Sequence, residues 1–166
     1  STIPVGSTRK VANEFSDLEK INISFCPERT AEGQALDELQ SLPQIISGIN
    51  SRSIQMANEL FEELADEIIL ADSVEEAELI KLFNNTYRDA IFALSNTFNL
   101  IAQNFDIDGY SAIEKSNKNY SRSNIPSPGF VAGPCLEKDA YILASRIPSE
   151  DLKDFILNVR KANESL

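Results

Sequence analysis

Residues 72–105, DSVEEAELIKLFNNTYRDAIFALSNTFNLIAQNF, decide the fold, because no Gly or Pro interrupts them. Asp72 or Ser73 is suited to cap a helix here, and Glu75 and Glu76 follow in the first turn, where the helix dipole favours negative charge. Apolar residues then recur at spacings of three and four, as on one helix face: Ile80, Phe83, Tyr87, Ile91, Leu94, Phe98, Ile101 and Phe105. The pattern predicts a helix of roughly thirty residues and ~45 Å. A helix this long either runs through a core or joins two subunits.

The residues before this helix have the pattern of an α/β domain. Short apolar or β-branched runs predict strands at residues 2–5, 21–26, 43–49 and 67–70. Helices are predicted from residue 7 or 8 to about 15–18, with Ser7 or Thr8 as the cap, and over residues 51–64. Strand, helix and strand within the first 26 residues predict a βαβ unit of a parallel sheet. We therefore expect residues 1–72 to be part of an α/β domain.

Residues 73–166 are expected to form a second, all-helical domain. After the long helix, shorter helices are predicted at about 110–118, from about 135 onward and at about 149–163. Residues 120–134 are rich in Pro, Gly and Ser, which predicts a loop. The predicted fold class is thus mixed α/β followed by all-α, with one long helix.

Composition excludes several classes of function. The sequence has 15 Lys+Arg against 26 Asp+Glu, and a net charge of −11 argues against a nucleic-acid or anionic membrane partner. It has no His, which excludes Ser-His and Cys-His pairs and His-ligated metals. Its two Cys fit neither a disulfide framework nor a CxxC zinc site, and this predicts reduced thiols in the cytoplasm. No apolar run predicts a membrane span, and the acidic run at 59–78 is expected to be solvated and to bind no metal.

Cys135 is the first candidate for chemistry. It lies in GFVAGPCLEKD, between a Gly/Pro loop and a predicted helix, where the helix N-terminus stabilises a thiolate. Gly129 and Gly133 would let the backbone approach a ligand closely. The alternative is a buried, inert thiol, which is what we expect for Cys26. Asp139 follows Cys135 by one helical turn and is expected on the same face.

Two pairs of polar residues are further candidates. Lys81 and Asn85 are four positions apart in the long helix, which places an ammonium and an amide on one face. Glu28 and Glu32 follow the C-terminal end of a predicted strand, the edge at which parallel sheets bind ligands. For both pairs the alternative is an ordinary solvated surface.

Taken in order, these segments resemble the UDP-glucose/GDP-mannose dehydrogenase family of NAD-dependent nucleotide-sugar dehydrogenases. The matching stretches are STIPVGSTRK, CPERTAEGQALDEL, PQIISG, AELIKLFNNTYRDAIFALSN and SRSNIPSPGFVAGPCLEKDAYIL. The resemblance implies oxidation of the C6 alcohol of a UDP- or GDP-sugar to a carboxylate by two hydride transfers to NAD+. A Cys would add to the intermediate aldehyde as a thiohemiacetal, which becomes a thioester that water hydrolyses.

The resemblance also implies catalytic roles. Cys135 would be the nucleophile, Lys81 a positive charge at the developing oxyanion, and Asn85 an amide donor to it or a holder of water. Asp139 would pair with Lys81 or orient the water. Glu28 would act in thioester hydrolysis.

Binding roles follow in the same way. Thr2 and Glu28 would lie at the cofactor, with Thr2 holding a water beside the sugar. The resemblance implies that residues 1–72 are the C-terminal part of a Rossmann-like NAD-binding domain and that residues 73–166 are the helical central dimerisation domain. The long helix would form the core of a homodimer. Contacts to the sugar nucleotide would come from Glu32, Arg122, Asn124, Ser127 and Gly129, and Arg122 would be able to reach a neighbouring subunit.

The GxGxxG motif that the family uses for the NAD pyrophosphate does not occur in this sequence. We therefore expect the main NAD motif and a C-terminal nucleotide-binding domain to lie outside this chain, and the chain alone to be inactive. Two alternatives stay open. One is a non-catalytic helical dimerisation module derived from such an enzyme, and the other is a related hydroxy-acid dehydrogenase, which needs no Cys nucleophile.

Overall fold

The computed structural model describes residues 2–15, 21–31, 33–131 and 133–165. Its elements follow in the order α1 (Ser7–Glu14), α2 (Ala35–Ser41), β1 (Gln44–Ile46), α3 (Ser51–Phe61), β2 (Ile68–Leu70), α4 (Val74–Gln103), α5 (Gly109–Asn117), α6 (Leu136–Ala144) and α7 (Glu150–Glu164). The chain forms two compact units, residues 1–82 (the first unit) and 83–166 (the second unit), and α4 begins in one and ends in the other. The domain boundary expected at residue 72 stays a prediction.

A parallel βαβ crossover organises the first unit. β1 pairs with β2 in parallel, with Gln44 opposite Ile68 and Ile46 opposite Leu70, and α3 connects the two strands and contacts β1. Parallel neighbours require a crossover of this kind. Apolar side chains of this unit are buried together beside the sheet: Phe25, Ile45, Ala71, Val74 and Ala77. The predicted strands near residues 43–49 and 67–70 are confirmed in shorter form.

The predicted strands at residues 2–5 and 21–26 are wrong, and so is the βαβ unit assigned to them. Within the described ranges, residues 2–4 have no strand partner, and the Pro4 carbonyl accepts hydrogen bonds from the Ser7 amide and hydroxyl, which closes a turn. Residues 21–26 contribute one isolated antiparallel bridge, from Ser24 to Gly48. β-Branched residues favour an extended backbone, but a strand also needs a neighbouring strand to pair with. The two strands that pair in this unit, β1 and β2, pair with each other and not with residues 2–5 or 21–26.

Helix α2 is a second departure from the sequence analysis. Its Leu36 and Leu39 are both exposed, so no buried apolar stripe marked this segment as a helix.

The second unit is entirely helical, as predicted. Its buried apolar side chains come from α4, α5, α6 and the loop before α6, and α6 packs against α7. At the other end of α4, in the first unit, the Ser73 hydroxyl accepts a hydrogen bond from the Glu76 amide at 3.0 Å, which confirms the predicted cap. Mixed α/β followed by helices, with one long helix, is therefore the confirmed class. In the part of the chain that the structure describes, no helix is both long and apolar enough to span a bilayer.

Candidate functional site

Cys135 lies exposed at the N-terminus of α6, as a free thiol. The chain enters this position through Gly133, whose φ of 122° is a backbone conformation that side chains disfavour. Gly133 and Glu137 then hydrogen-bond reciprocally. The Gly133 amide donates to the Glu137 carboxylate at 3.3 Å, and the Glu137 amide donates to the Gly133 carbonyl at 3.2 Å. The first turn of α6 is thereby held while the thiol remains accessible at a helix end that favours anions.

Asp139 is completely buried one turn after Cys135, and its amide donates to the Cys135 carbonyl at 3.1 Å. Its Oδ2 accepts a hydrogen bond from Asn85 Nδ2 at 2.5 Å, and its Oδ1 pairs with Lys138 Nζ at 2.7 Å. The second unit thus joins two of the predicted residues, Asn85 and Asp139, and adds Lys138. Pairing of Asp139 with Lys81 stays a prediction.

Lys81 and Glu28 belong to the first unit. Lys81 is buried on α4, and no described residue of this unit forms an ion pair with its ammonium. Glu28 is exposed and accepts hydrogen bonds from the Thr30 amide and, at 2.6 Å, from the Thr30 hydroxyl. Partial burial raises the pKa of Glu28, but the Thr30 hydrogen bonds and the positive charge of Lys81 outweigh it, so the pKa lies below its usual value. The lowered pKa keeps Glu28 in the ionised carboxylate form, which is the form able to accept a proton as a general base.

Thr2 is half-buried in the segment that leads into α1. The cap of α1 comes from α4 and not, as predicted, from Ser7 or Thr8. Glu78, 1% exposed, accepts hydrogen bonds from the Gly6 amide at 2.6 Å and the Thr8 amide at 2.8 Å. Gly6 has a φ of 84°, which suits glycine at this turn.

Glu78 was not among the residues predicted from the sequence. The signal available was an acidic residue within the apolar run AELIKLF, three positions before Lys81.

The predicted sugar-nucleotide residues of the loop before α6 are exposed. Arg122 lies over the Tyr120 ring, 4.8 Å from its centroid, and Asn124 is exposed. Ser127 and Gly129 line a cavity of about 240 Å³. The remaining lining residues are Arg88, Phe92, Phe130, Val131 and Leu136. Glu32, the other predicted contact, lies outside the described residues.

Three polar residues that the sequence analysis did not single out bind this loop. Ser95 donates to the Pro126 carbonyl at 2.5 Å, Asn117 exchanges two hydrogen bonds with Ile125, and Asn96 does the same with Gly129. In the sequence, each of the three is one polar residue among several on its helix, so no pattern distinguished it. No group of three or more metal-ligating side chains occurs among the described residues.

A sequence profile of the UDP-glucose/GDP-mannose dehydrogenase family, central domain, matches residues 75–165, and the NAD binding domain of the same family matches residues 1–65. The first match alone covers more than half of the chain, so the chain belongs to the UDP-glucose/GDP-mannose dehydrogenase family. The resemblance noted from the motifs is confirmed.

Individual relatives share a narrower description. A UDP-N-acetyl-D-mannosamine dehydrogenase of Methanocaldococcus jannaschii is 36% identical over the whole of this chain, which spans 38% of that protein. A relative of the same name from Escherichia coli is 30% identical over 90% of this chain and 39% of its own length.

The solved structures similar to this chain include further UDP-sugar dehydrogenases. The UDP-D-ManNAc dehydrogenase from Pyrococcus horikoshii matches with a TM-score of 0.88 and 34% identity, over 99% of this chain and 40% of that one. A UDP-glucose dehydrogenase from Pyrobaculum islandicum, 22% identical, shares the fold with a TM-score of 0.81. The chain thus spans about two fifths of the length of these relatives.

Proposed function

We propose that this chain supplies the cysteine-bearing part of an NAD-dependent enzyme that oxidises the C6 alcohol of a nucleotide sugar to a carboxylate. The observation that carries the proposal is the exposed Cys135 at the N-terminus of α6, one turn before the buried Asp139 that Asn85 hydrogen-bonds. Family membership supports the reaction class.

The proposed chemistry assigns a covalent step to Cys135. Its thiolate adds to the C6 aldehyde, and the new oxyanion is stabilised by the fixed charge of Lys81 and the amide of Asn85. Loss of a hydride from this thiohemiacetal gives a thioester. Water then attacks the thioester carbon, Glu28 accepts its proton, and the thiolate leaves with the carboxylic acid released. Asp139 would orient Asn85 or the water in these steps.

NAD+ would supply the hydride acceptor for both oxidations. Thr2 and Glu28 are the residues proposed to lie at the reacting end of this cofactor. The N-termini of α1 and α3 are already occupied by side chains, because Glu78 accepts hydrogen bonds from the Gly6 and Thr8 amides and Asn50 accepts one from an α3 amide. The pyrophosphate site is therefore proposed to lie outside these residues.

We propose UDP-N-acetyl-D-mannosamine as the substrate. The support is the name shared by relatives that are 30–36% identical to this chain. The contacts proposed for it are Ser127 and Gly129 at the cavity, with Glu32, Arg122 and Asn124 as further contacts.

A homodimer through α4 is part of the proposal. The second unit exposes a row of large apolar side chains along one face of α4, which we name the α4 stripe: Phe83, Tyr87, Leu94, Phe98 and Ile101. Each is between 37% and 65% exposed, and a contiguous apolar face of this kind marks an interaction surface. We also infer a cytoplasmic location from the two free thiols.

The test is a hybrid in which this chain replaces the matching segment of the Methanocaldococcus jannaschii relative. With NAD+ and UDP-N-acetyl-D-mannosamine, we expect two NADH per uronic acid, measured by near-ultraviolet absorbance. Cys135→Ser should lower uronic acid formation by more than about a thousandfold, because the thioester cannot form. Cys26→Ser is the matched control and should retain activity. A hybrid with native-like circular dichroism that forms no NADH would contradict the proposal and favour the non-catalytic module.

A further inference from the structure

The main chain of the loop that lines the cavity of the second unit exchanges two hydrogen bonds with one buried side chain. Asn96 Oδ1 accepts from the Gly129 amide at 2.8 Å, and Asn96 Nδ2 donates to the Gly129 carbonyl at 2.9 Å. Asn96 is 4% exposed, whereas Gly129 is exposed. No atom lies within 4 Å of the place where a Gly129 side chain would begin, so the main chain faces open space there. Asn96 therefore sets the conformation of an accessible backbone segment from inside the protein.

The orientation of the Asn96 amide is itself determined by a chain of buried polar groups. Asn96 Nδ2 also donates to Asn163 Oδ1 at 3.2 Å, and Asn163 Nδ2 donates to the Asp89 carbonyl at 2.9 Å and to Asp89 Oδ1 at 2.8 Å. Asp89 Oδ1 pairs with Arg160 Nη1 at 2.6 Å. A carboxylate accepts and cannot donate, so it forces the Asn163 amide to turn its nitrogen inward and its oxygen toward Asn96.

The same ion pair reaches the start of α6. Arg160 Nη1 donates to the Leu136 carbonyl at 3.4 Å, directly after Cys135, and Leu136 also lines the cavity. Burial raises the pKa of Asp89, while the Asn163 hydrogen bond and the Arg160 charge oppose that rise. The network thus connects both sides of the cavity, the Gly129 loop and the first residue of α6.

We propose that Asn96 is a positioning residue for ligand binding, which fixes the Gly129 backbone so that residues 127–131 present a preformed binding edge to a nucleotide sugar. This inference rests on the proposed function for its ligand. Preformed loops bind more tightly because less conformational freedom is lost on binding. Asn96 touches no reacting atom in this account and acts through Gly129.

The test uses the full chain labelled with ¹⁵N. Two variants are compared with the unaltered chain, Asn96→Ala and the isosteric Asn96→Asp, which turns a second acceptor toward the Gly129 carbonyl. Ile113→Val is the control, because it removes a buried methyl group in α5 and so lowers stability while leaving the two Asn96–Gly129 hydrogen bonds in place. Hydrogen exchange of the Gly129 amide and titration with UDP-N-acetyl-D-mannosamine, followed at the Ser127 and Gly129 amides, are the two measurements.

We expect Gly129 exchange to accelerate by about tenfold in Asn96→Ala, and ligand affinity to fall by about tenfold in both Asn96 variants, as for loss of one hydrogen-bonded anchor. In Ile113→Val, the Gly129 exchange rate and the ligand affinity should both be unchanged. An unchanged exchange rate of the Gly129 amide in Asn96→Ala would overturn the proposal. Faster exchange with an unchanged affinity for the nucleotide sugar would also overturn it, since Asn96 would then have only a structural role. If the unaltered chain shows no response to the ligand, the proposed function loses support, and Gly129 exchange alone decides whether Asn96 positions the loop.

Discussion

The two cysteines have the same side chain and different surroundings. Cys135 is exposed at a helix N-terminus, whereas Cys26 is half-buried, and burial raises the pKa of Cys26 although a backbone hydrogen bond from Ser47 opposes this. A thiolate is the reactive form of cysteine, so both exposure and the protonation of Cys26 favour reaction at Cys135. The proposed nucleophile can therefore be tested on the chain alone, without a cofactor.

We expect iodoacetamide to alkylate Cys135 at least about tenfold faster than Cys26 near neutral pH, because Cys135 is exposed whereas Cys26 is half-buried and its pKa is raised by that burial. Peptide mass spectrometry of timed samples gives the two rates within one molecule, so each thiol is the control for the other. Equal rates would remove the support for an activated nucleophile. Urea-unfolded chain should show nearly equal rates, because the difference arises from the fold.

At the scale of elements, α1 depends on a carboxylate from another helix. A helix N-terminus leaves amides without partners, and neither Gly6 nor Ser7 supplies a side-chain cap for α1. Glu78 supplies it from α4, with both carboxylate oxygens used. The segment containing Thr2 is thus attached to the helix that carries Lys81.

Glu78→Ala should lower the free energy of unfolding by about 1–3 kcal/mol, because the Gly6 and Thr8 amides lose their acceptor. Glu75→Ala is the matched control on the same helix. Glu75 pairs with Arg9 at the surface, at 3.0 Å, and its loss should cost less than about 1 kcal/mol. Urea denaturation followed by circular dichroism measures both, and equal losses would argue against Glu78 as the cap.

The Glu75 pair should also respond to acid. The hydrogen bond from Arg9 lowers the pKa of Glu75. The stabilisation from this pair is therefore fully present above the pKa that Glu75 has in the unfolded chain. It is lost as the pH falls through the lower pKa that Glu75 has in the folded protein.

At the scale of the whole molecule, the α4 stripe is the surface expected to pair two chains. We expect Leu94→Glu to raise the dimer dissociation constant by about a hundredfold or more, because each chain would bring a charge into an apolar contact. Sedimentation velocity over a range of concentrations measures it. Leu152→Glu on α7 is the matched control, with the same substitution at an exposed leucine outside the stripe. An unaltered sedimentation profile in Leu94→Glu would contradict a dimer through this face.

The sequence by itself determined what depends on neighbouring residues. Apolar spacing and Ser73 specify α4, Pro and Gly specify the loop before Cys135, and the ordered motifs indicated the family. These features follow from local backbone preferences and short-range capping, which act over one or two helical turns. The strands at residues 2–5 and 21–26 failed because extended composition does not say which segment is available to pair.

Only the tertiary structure decided which distant groups meet. Glu78 caps α1 across seventy positions of sequence, Asn85 binds Asp139, and Asn96 binds Gly129. In the sequence each of these side chains is one polar residue among many, and a place on the solvated surface would fit the sequence equally well. Burial removes water as a partner, so each group must find a complementary donor or acceptor in the fold. That requirement, which no local pattern expresses, brought these distant groups together.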